Sequence, residues 1–201
     1  MLNALKRRRF RHVLGLVVAA AAMLPGHAQD RRPTRVRPEH YVIEAEVNPR
    51  TQTINATVQA RVQPVDDNQN IAVFELHNAL EIKSVTDSKG QEIAHTRNQQ
   101  DFTVRLNLPY SLTKGTAATF TFAYSGRLTG KEDSPVYGIN FASIQPEGAF
   151  FLYPARWFPV AEYTTGRFTA DLKITTPSGY KVIASGTEKV ESGSDKVTYS
   201  F

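Results

Sequence analysis

Apolar and polar residues alternate along most of the chain after residue 40, and a period of two predicts β-strands rather than helices. Between Ile54 and Gln63 every second residue is apolar, so one face of a strand would be buried and the other exposed. The same alternation runs from Phe102 to Leu108 and from Phe168 to Ile174. Further strands are predicted at about 41–47, 71–76, 80–86, 117–124, 148–153, 180–185 and 196–201. The pattern predicts an all-β fold, built as an antiparallel β-sandwich or as a pair of curved sheets.

Two stretches interrupt this alternation. Residues 125–147 contain three glycines and two prolines, and they are long for a connection inside a compact domain. The stretch from Phe150 to Tyr163 is crowded with aromatic residues and holds Pro154 and Pro159, so it is too irregular for an ordinary strand. Its aromatic residues are Phe150, Phe151, Tyr153, Trp157, Phe158 and Tyr163.

The N-terminus predicts export from the cytoplasm. A cluster of basic residues between Lys6 and Arg11 precedes an apolar run of about 12 residues and the small-residue site Gly26-His27-Ala28, as in a signal peptide. A permanent membrane span needs roughly 20 apolar residues, so none is expected. Residues 1–28 are interpreted as the signal peptide, 29–39 as a flexible lead-in and 40–201 as the domain. The pattern favours the general secretory route, with twin-arginine export at Arg7-Arg8 as the alternative, and the location would be periplasmic or extracellular.

The charge of the chain gives no support for nucleic-acid binding, and its lack of cysteine excludes disulfide bonds. Five of the 24 lysines and arginines, and none of the 19 acidic residues, lie in the leader, so the net charge of +5 belongs to the leader. A balanced domain gives no sign of the basic patch that nucleic-acid binding requires. The chain has no cysteine, so its stability rests on packing and hydrogen bonds.

Motifs for catalysis are missing from the sequence. Zinc hydrolases of the thermolysin type carry H-E-x-x-H, whereas His40, His77 and His95 have neither the glutamate nor the spacing. Surface or strand-edge histidines are the favoured interpretation. The serine-hydrolase motif G-x-S-x-G is absent as well. No catalytic residue, metal ligand or cofactor is therefore assigned, and no residue is assigned to substrate binding.

Two further groups of residues have weaker links to chemistry. The adjacent pairs Asp66-Asp67 and Glu132-Asp133 point their side chains in opposite directions on an extended chain, so they are interpreted as solvated turns rather than acid–base dyads. Tyr137, Trp157 and Tyr163 could stack on a sugar, but aromatic residues more often form core or docking surface.

Several landmarks resemble a known family when they are taken in order along the chain. They are His40-Tyr41, Leu108-Pro109, Phe122-Ala123-Tyr124-Ser125-Gly126, Ala155-Arg156-Trp157-Phe158-Pro159, Pro177-Ser178-Gly179-Tyr180 and Ala184-Ser185-Gly186. Their order is similar to that in the N-terminal β domain of the aminopeptidase N (membrane alanyl aminopeptidase-like) zinc metallopeptidases. The resemblance covers about residues 40–201. It implies a saddle-shaped β domain that packs on a zinc-containing catalytic domain and forms part of the wall around the N-terminus of a peptide substrate.

The chain departs from the family pattern beside the aromatic stretch. The family has D-E-P shortly after F-P, where this chain has Ala161-Glu162-Tyr163. The polar pair that often reaches the substrate lies just before the A-R motif, and Gly148, Ala149 and Phe150 stand there instead. The resemblance therefore carries no substrate contact over to a named residue.

The expected function is that of a non-catalytic N-terminal domain of an exported zinc aminopeptidase. Zinc, the catalytic machinery and the peptide substrates would belong to the parent, whose catalytic domain would be an intramolecular partner. The chain ends within an alternating strand, which predicts truncation at 201. A free-standing periplasmic or extracellular binding module is the alternative. The expected interdomain surface is the segment from Phe150 to Tyr163 together with the loop 125–147, and it should be partly exposed in this chain alone. Its named residues are Tyr153, Arg156, Trp157, Phe158, Pro159 and Tyr163.

Overall fold

The structure is a computed structural model that describes residues 36–130, 139–162 and 166–201. Within these residues the chain is almost entirely β-structure, and the predicted all-β class is confirmed. A 3₁₀ turn at Pro154–Arg156 is the only helical element described, and no helix there could cross a membrane. The strands are β1 Val36–Asn48, β2 Thr53–Pro64, β3 Gln69–Glu75, β4 Leu80–Asp87, β5 Ala94–Asn98, β6 Thr103–Leu112, β7 Ala118–Arg127, β8 Ala142–Gln145, β9 Gly148–Phe151, β10 Thr169–Pro177, β11 Lys189–Ser192 and β12 Lys196–Ser200.

Seven of these strands form the larger sheet, in the order β11-β12-β10-β1-β2-β7-β4. β3, β6 and β5 form a second sheet, and β8 pairs with β9 in a separate hairpin. The predicted antiparallel pairing is found for every other described strand pair, whereas β1 and β10 are parallel, with Tyr41 opposite Ala170. No tight turn joins these two neighbours, so hairpin geometry does not dictate their relative direction.

The core lies between the two larger sheets. In β2 the predicted alternation is confirmed, because Ile54, Val58 and Val62 are fully buried while Asn55 and Thr57 are exposed. Across the interface the ring centroid of Phe74 from β3 lies 4.9 Å from that of Phe122 from β7. One buried apolar cluster contains residues from both sheets. The two sheets therefore share a single core.

Several strand boundaries differ from the prediction. β5 and β11 present exposed or half-buried polar residues, so they gave no apolar alternation to detect, and the short strand β8 was missed as well. The predicted strand at 180–185 does not form. Its three consecutive apolar residues, Val182 to Ala184, break the alternation of a half-buried strand, and β10 pairs with β12 instead, with Ile174 opposite Tyr199.

The predicted lead-in at 29–39 extends too far. β1 begins at Val36, which is buried and pairs with Pro64 of β2, so residues 36–39 belong to the strand. Strand pairing outweighs the Arg- and Pro-rich composition there. The predicted signal peptide lies outside the described residues, as do Glu132-Asp133, Tyr137 and Tyr163.

Candidate functional site

The aromatic segment, residues 150–162, runs from β9 along the free edge of β3. Glu75 and Val160 exchange two backbone hydrogen bonds, with N···O distances of 2.8 and 3.0 Å. The amide of His77 donates to the carbonyl of Ala155 at 3.0 Å. These bonds satisfy backbone groups that would otherwise be buried without partners. The segment therefore behaves as an irregular fourth strand of the smaller sheet.

Two buried tyrosines of the larger sheet hold the segment from the other side. The hydroxyl of Tyr124 donates to the carbonyl of Trp157 at 2.5 Å, and the amide of Ala161 donates to the hydroxyl of Tyr41 at 3.1 Å. Burial raises the pKa of Tyr41 to about 12, against a smaller lowering by the bond from Ala161. Burial also raises the pKa of Tyr124 well above its ordinary value. Both hydroxyls therefore stay neutral and act as hydrogen-bonding anchors.

Aromatic rings connect the hairpin β8–β9 to the core. The ring of Phe151 stacks on Trp157 with centroids 5.1 Å apart, and Trp157 meets Phe158 edge-on at 4.8 Å. Phe158 contacts Tyr41 at 5.3 Å, and Tyr41 contacts Phe168 at 4.9 Å. Contacts of this kind contribute about 0.5–1.5 kcal/mol each beyond simple burial. The hairpin is thus fastened to the centre of the larger sheet.

Arg156 is a buried charge in the middle of this segment. Its side chain is 3% exposed, and its Nη2 donates to Oε1 of Glu75 at 3.1 Å. The hydroxyl of Tyr153 donates to the other carboxylate oxygen at 3.2 Å, and the Phe102 ring centroid lies 4.1 Å from the guanidinium carbon. The remaining groups, Nε and Nη1, are buried without a hydrogen-bond partner. Arg156 therefore links the aromatic segment to the smaller sheet through its ion pair with Glu75 of β3.

The protein environment shifts the pKa values of both members of this ion pair. Burial raises the pKa of Glu75, and the charge of Arg156 and the bond from Tyr153 offset only part of that rise. Burial likewise lowers the pKa of Arg156, against a smaller raising effect of Glu75. Both shifts run against the charged forms, so desolvation outweighs the mutual attraction.

The predicted interdomain surface needs correction. Arg156, Trp157, Phe158 and Pro159 are buried in this chain by itself, and even Trp157 is only 9% exposed. The expectation of exposure does not hold for these four, because their backbone and rings are taken up by the two sheets. Tyr153 is half-buried against Glu75, and Tyr163 lies outside the described residues.

The exposed apolar residues of this region lie on the hairpin instead. Leu152 is 69% exposed and Phe150 is 42% exposed, while their neighbours Phe151 and Tyr153 turn inward. Ile139, 48% exposed, lies two residues before Phe141, whose carbonyl accepts a hydrogen bond from the amide of Leu152 at 2.7 Å. We name Ile139, Phe150 and Leu152 the hairpin face. The sequence carries no signal for this split, because all four residues from Phe150 to Tyr153 are aromatic or aliphatic and only their positions in the strand separate the exposed pair from the inward pair.

The histidines and the described acidic pair do not gather into a reactive site. Nδ1 of His40 lies 2.7 Å from the hydroxyl of Thr169, His77 is buried against Phe102, and His95 lies on β5. Asp66 and Asp67 each accept a hydrogen bond from a different residue, Gln69 and Lys114 respectively. Among the described residues no group of three or more His, Cys, Asp or Glu side chains could hold a metal ion. These residues therefore do not fit a zinc site.

Known structures match this architecture although the sequence is far from theirs. An M1 zinc metallopeptidase from Deinococcus radiodurans matches with a TM-score of 0.67 and 18% identity, over 83% of this chain and 38% of that chain. The chain shares its fold with part of the M1 zinc metallopeptidases.

Two related crystal structures agree. A mutant of the Deinococcus radiodurans M1 enzyme bound to a Tyr-Ser-Ala substrate matches with a TM-score of 0.70 and 17% identity, over 83% of this chain and 39% of that one. A mutant two-domain M1 zinc metallopeptidase bound to L-arginine gives 0.70 and 18%, with the same coverage. This chain thus spans well under half the length of the M1 chains it matches. No protein-family model and no curated protein matches the sequence.

Proposed function

We propose that the chain is the non-catalytic N-terminal domain of an exported zinc aminopeptidase, and that the hairpin face packs on the catalytic domain. The observation that carries the proposal is the match to only 39% of a two-domain M1 zinc metallopeptidase. The described residues contain no metal-holding group, so the zinc and the peptide chemistry would belong to the remainder of such a parent. The chain's contribution would be to shape the entrance for peptide substrates.

The hairpin face supports the docking part of the proposal. Large apolar side chains that are exposed together favour contact with another protein surface. Leu152 and Phe150 expose their side chains on a hairpin that Trp157 and Phe158 fasten to the core from behind. A rigid support lowers the ordering cost of binding. The hairpin therefore combines an exposed apolar face with a fixed position.

The experiment begins with the gene. We expect the reading frame that continues beyond the codon for Phe201 to encode H-E-x-x-H and a further zinc-ligating glutamate. The protein made from this longer reading frame, named here the extended chain, should hydrolyse aminoacyl reporter substrates in a zinc-dependent manner. The 201-residue chain alone should give no turnover above buffer and retain no stoichiometric zinc after chelator washing.

Hydrogen exchange then tests the docking surface. Amides next to Phe150 and Leu152 should exchange more slowly in the extended chain than in the 201-residue chain, because docking covers them. The exposed strand β11, Lys189–Ser192, supplies the internal control and should change less. A reading frame without the zinc motif, or equal exchange near Leu152 in both proteins, would overturn the proposal.

A further inference from the structure

The turn Pro177-Ser178-Gly179-Tyr180 has a role that the docking surface does not explain. Gly179 adopts a φ of +100°, a conformation that side chains disfavour, so the turn requires glycine there. The amide of Ser178 donates to the carbonyl of Asp195 at 2.8 Å, which ties the turn to the loop between β11 and β12. The turn directs the next residue, Tyr180, towards the hairpin β8–β9.

Tyr180 contacts the tip of that hairpin. Its hydroxyl donates to the carbonyl of Pro146, between β8 and β9, at 2.7 Å. Its own backbone carbonyl accepts a hydrogen bond from the hydroxyl of Tyr199 in β12 at 3.2 Å. Tyr199 is buried, so the chain of contacts leads from the core of the larger sheet to the hairpin tip.

A second contact holds the same tip through Gln52, in the turn between β1 and β2. Its Nε2 donates to Oε1 of Gln145 at 2.9 Å, and Nη2 of Arg127 donates to its Oε1 at 3.0 Å. Gln145 in turn donates to the carbonyl of Thr129 and to the hydroxyl of Ser143. Gln52 has a φ of 59°, which is uncommon for a residue other than glycine. Strained conformations persist where the surroundings hold them, and Gln52 is held both by this side-chain network and by its backbone, whose amide donates to the carbonyl of Pro49 and whose carbonyl accepts from the amide of Leu128.

The hairpin needs such support. A two-stranded hairpin is only marginally stable by itself, and β8–β9 is a separate sheet whose register joins four residue pairs. Phe151 fastens one end of the hairpin through its stack on Trp157, and β8 is attached through the buried Ile144, whose amide donates to the carbonyl of Leu128 at 2.6 Å. The opposite end, at Gln145 and Pro146, has the contacts from Gln52 and Tyr180.

We infer that Gln52 and Tyr180 form a tip clamp, which fixes the orientation of the hairpin and so positions the hairpin face for its partner. The positioning of a partner surface rests on the proposed function, whereas the clamp itself is a property of this chain alone. Gln52 and Tyr180 are positioning residues and contact no substrate in this assignment. The partner is the catalytic domain of the extended chain.

The test is Tyr180→Phe in the 201-residue chain, followed by hydrogen exchange of residues 142–152. Loss of one hydroxyl should speed exchange in the hairpin by roughly three- to tenfold while leaving the urea midpoint almost unchanged. Tyr110→Phe is the matched control, because its hydroxyl donates to Asp87 at 3.1 Å in another part of the fold. It should affect the amides of Lys89 and Gln91, which also bond to Asp87.

Gln52→Gly provides a second, independent variant. Glycine tolerates the positive φ, so the substitution removes backbone strain together with the clamping amide. We expect faster exchange in residues 142–152 without a lower urea midpoint. The clamp is overturned if hairpin exchange is unchanged in both Tyr180→Phe and Gln52→Gly, or if Tyr110→Phe speeds it equally.

The extended chain separates the clamp from the proposed function. A docked catalytic domain holds the hairpin from outside, so the exchange difference between wild type and Tyr180→Phe should shrink there by at least about threefold. A full difference in the extended chain, together with no added protection near Leu152, would remove the docking proposal and leave the clamp standing. Protection near Leu152 with no effect of Tyr180→Phe in either protein would remove the clamp alone.

Discussion

The aromatic segment consists of two parts that are alike in composition and opposite in burial. From Ala155 to Ala161 every residue is buried, whereas Ala149, Phe150 and Leu152 are exposed. Both parts are rich in aromatic and aliphatic side chains, so composition does not separate them. The difference lies in the partners of the backbone and rings.

The buried part has hydrogen-bonding partners on both sides. Its backbone bonds to Glu75 and His77 of the smaller sheet region and to Tyr41 and Tyr124 of the larger sheet. Among the described residues, the backbone partners of the exposed part are β8, with Ser143 opposite Phe150, and Phe141 just before it, whose carbonyl accepts from the amide of Leu152. An aromatic stretch is therefore core where two sheets satisfy its polar groups, and surface where it has a single strand as neighbour.

The strongest test of this comparison is Phe158→Ala against Phe150→Ala. Phe158 is 3% exposed and meets three other rings, so truncation should lower the free energy of unfolding by about 3–5 kcal/mol. Phe150 is 42% exposed, and its truncation should cost about 1 kcal/mol or less. Urea denaturation of the two variants measures both values. Equal losses would show that the two parts do not differ as the burial pattern says.

A smaller effect is expected from the charge in the buried part. Glu75→Gln removes the counter-ion of Arg156, but it also removes a carboxylate whose desolvation outweighs that attraction, so it should change the free energy of unfolding by only about 1 kcal/mol or less. Arg156→Met removes the buried charge and its two unpartnered nitrogens, Nε and Nη1. The double variant should therefore be more stable than Glu75→Gln alone.

Urea denaturation of the two single variants and the double variant completes this cycle. A double variant that loses the sum of the two single losses would show that Glu75 and Arg156 do not act as a pair.

The sequence was sufficient to predict the strands in which apolar and polar residues alternate, because such strands bury one face and expose the other. β2 is the best example, with its apolar set inside and its polar set outside. The residues of the hairpin face lie within the predicted surface, but the sequence did not separate Phe150 and Leu152 from the buried residues around Trp157, since only the strand register distinguishes them.

Other features depend on contacts between distant residues, which local patterns do not encode. Arg156 meets Glu75 from 81 residues away, and Gln52 meets Gln145 from 93 residues away. Arginine is also rarely buried in proteins, so a sequence-based prediction places Arg156 at the surface. Both contacts become visible only once the sheets have brought their elements together.

The smallest expected effect is a difference in pH dependence between Glu75, beside the buried part, and Asp87, in the turn after β4. Burial raises the pKa of Glu75 from its ordinary value of 4.5, so its contribution to stability is present below that value and is lost as pH rises through the folded-state pKa. The pKa of Asp87 shows the opposite net shift. Burial raises it, but the amides of Gln91 and Lys89 and the hydroxyl of Tyr110 outweigh burial and hold it below 3.8. Its contribution is therefore present above 3.8 and is lost as pH falls through the folded-state pKa.

Unfolding free energies of wild type, Glu75→Gln and Asp87→Asn between about pH 3 and 7 test these signs. Relative to Glu75→Gln, the wild type should lose stability as pH rises above 4.5, because the variant cannot ionise. Relative to Asp87→Asn, it should lose stability as pH falls below 3.8. If the wild type instead gained stability relative to Glu75→Gln as pH rose through 4.5, the carboxylate beside the buried part would feel no net desolvation. The contrast between the two parts of the aromatic segment would then rest on packing alone, without an electrostatic component.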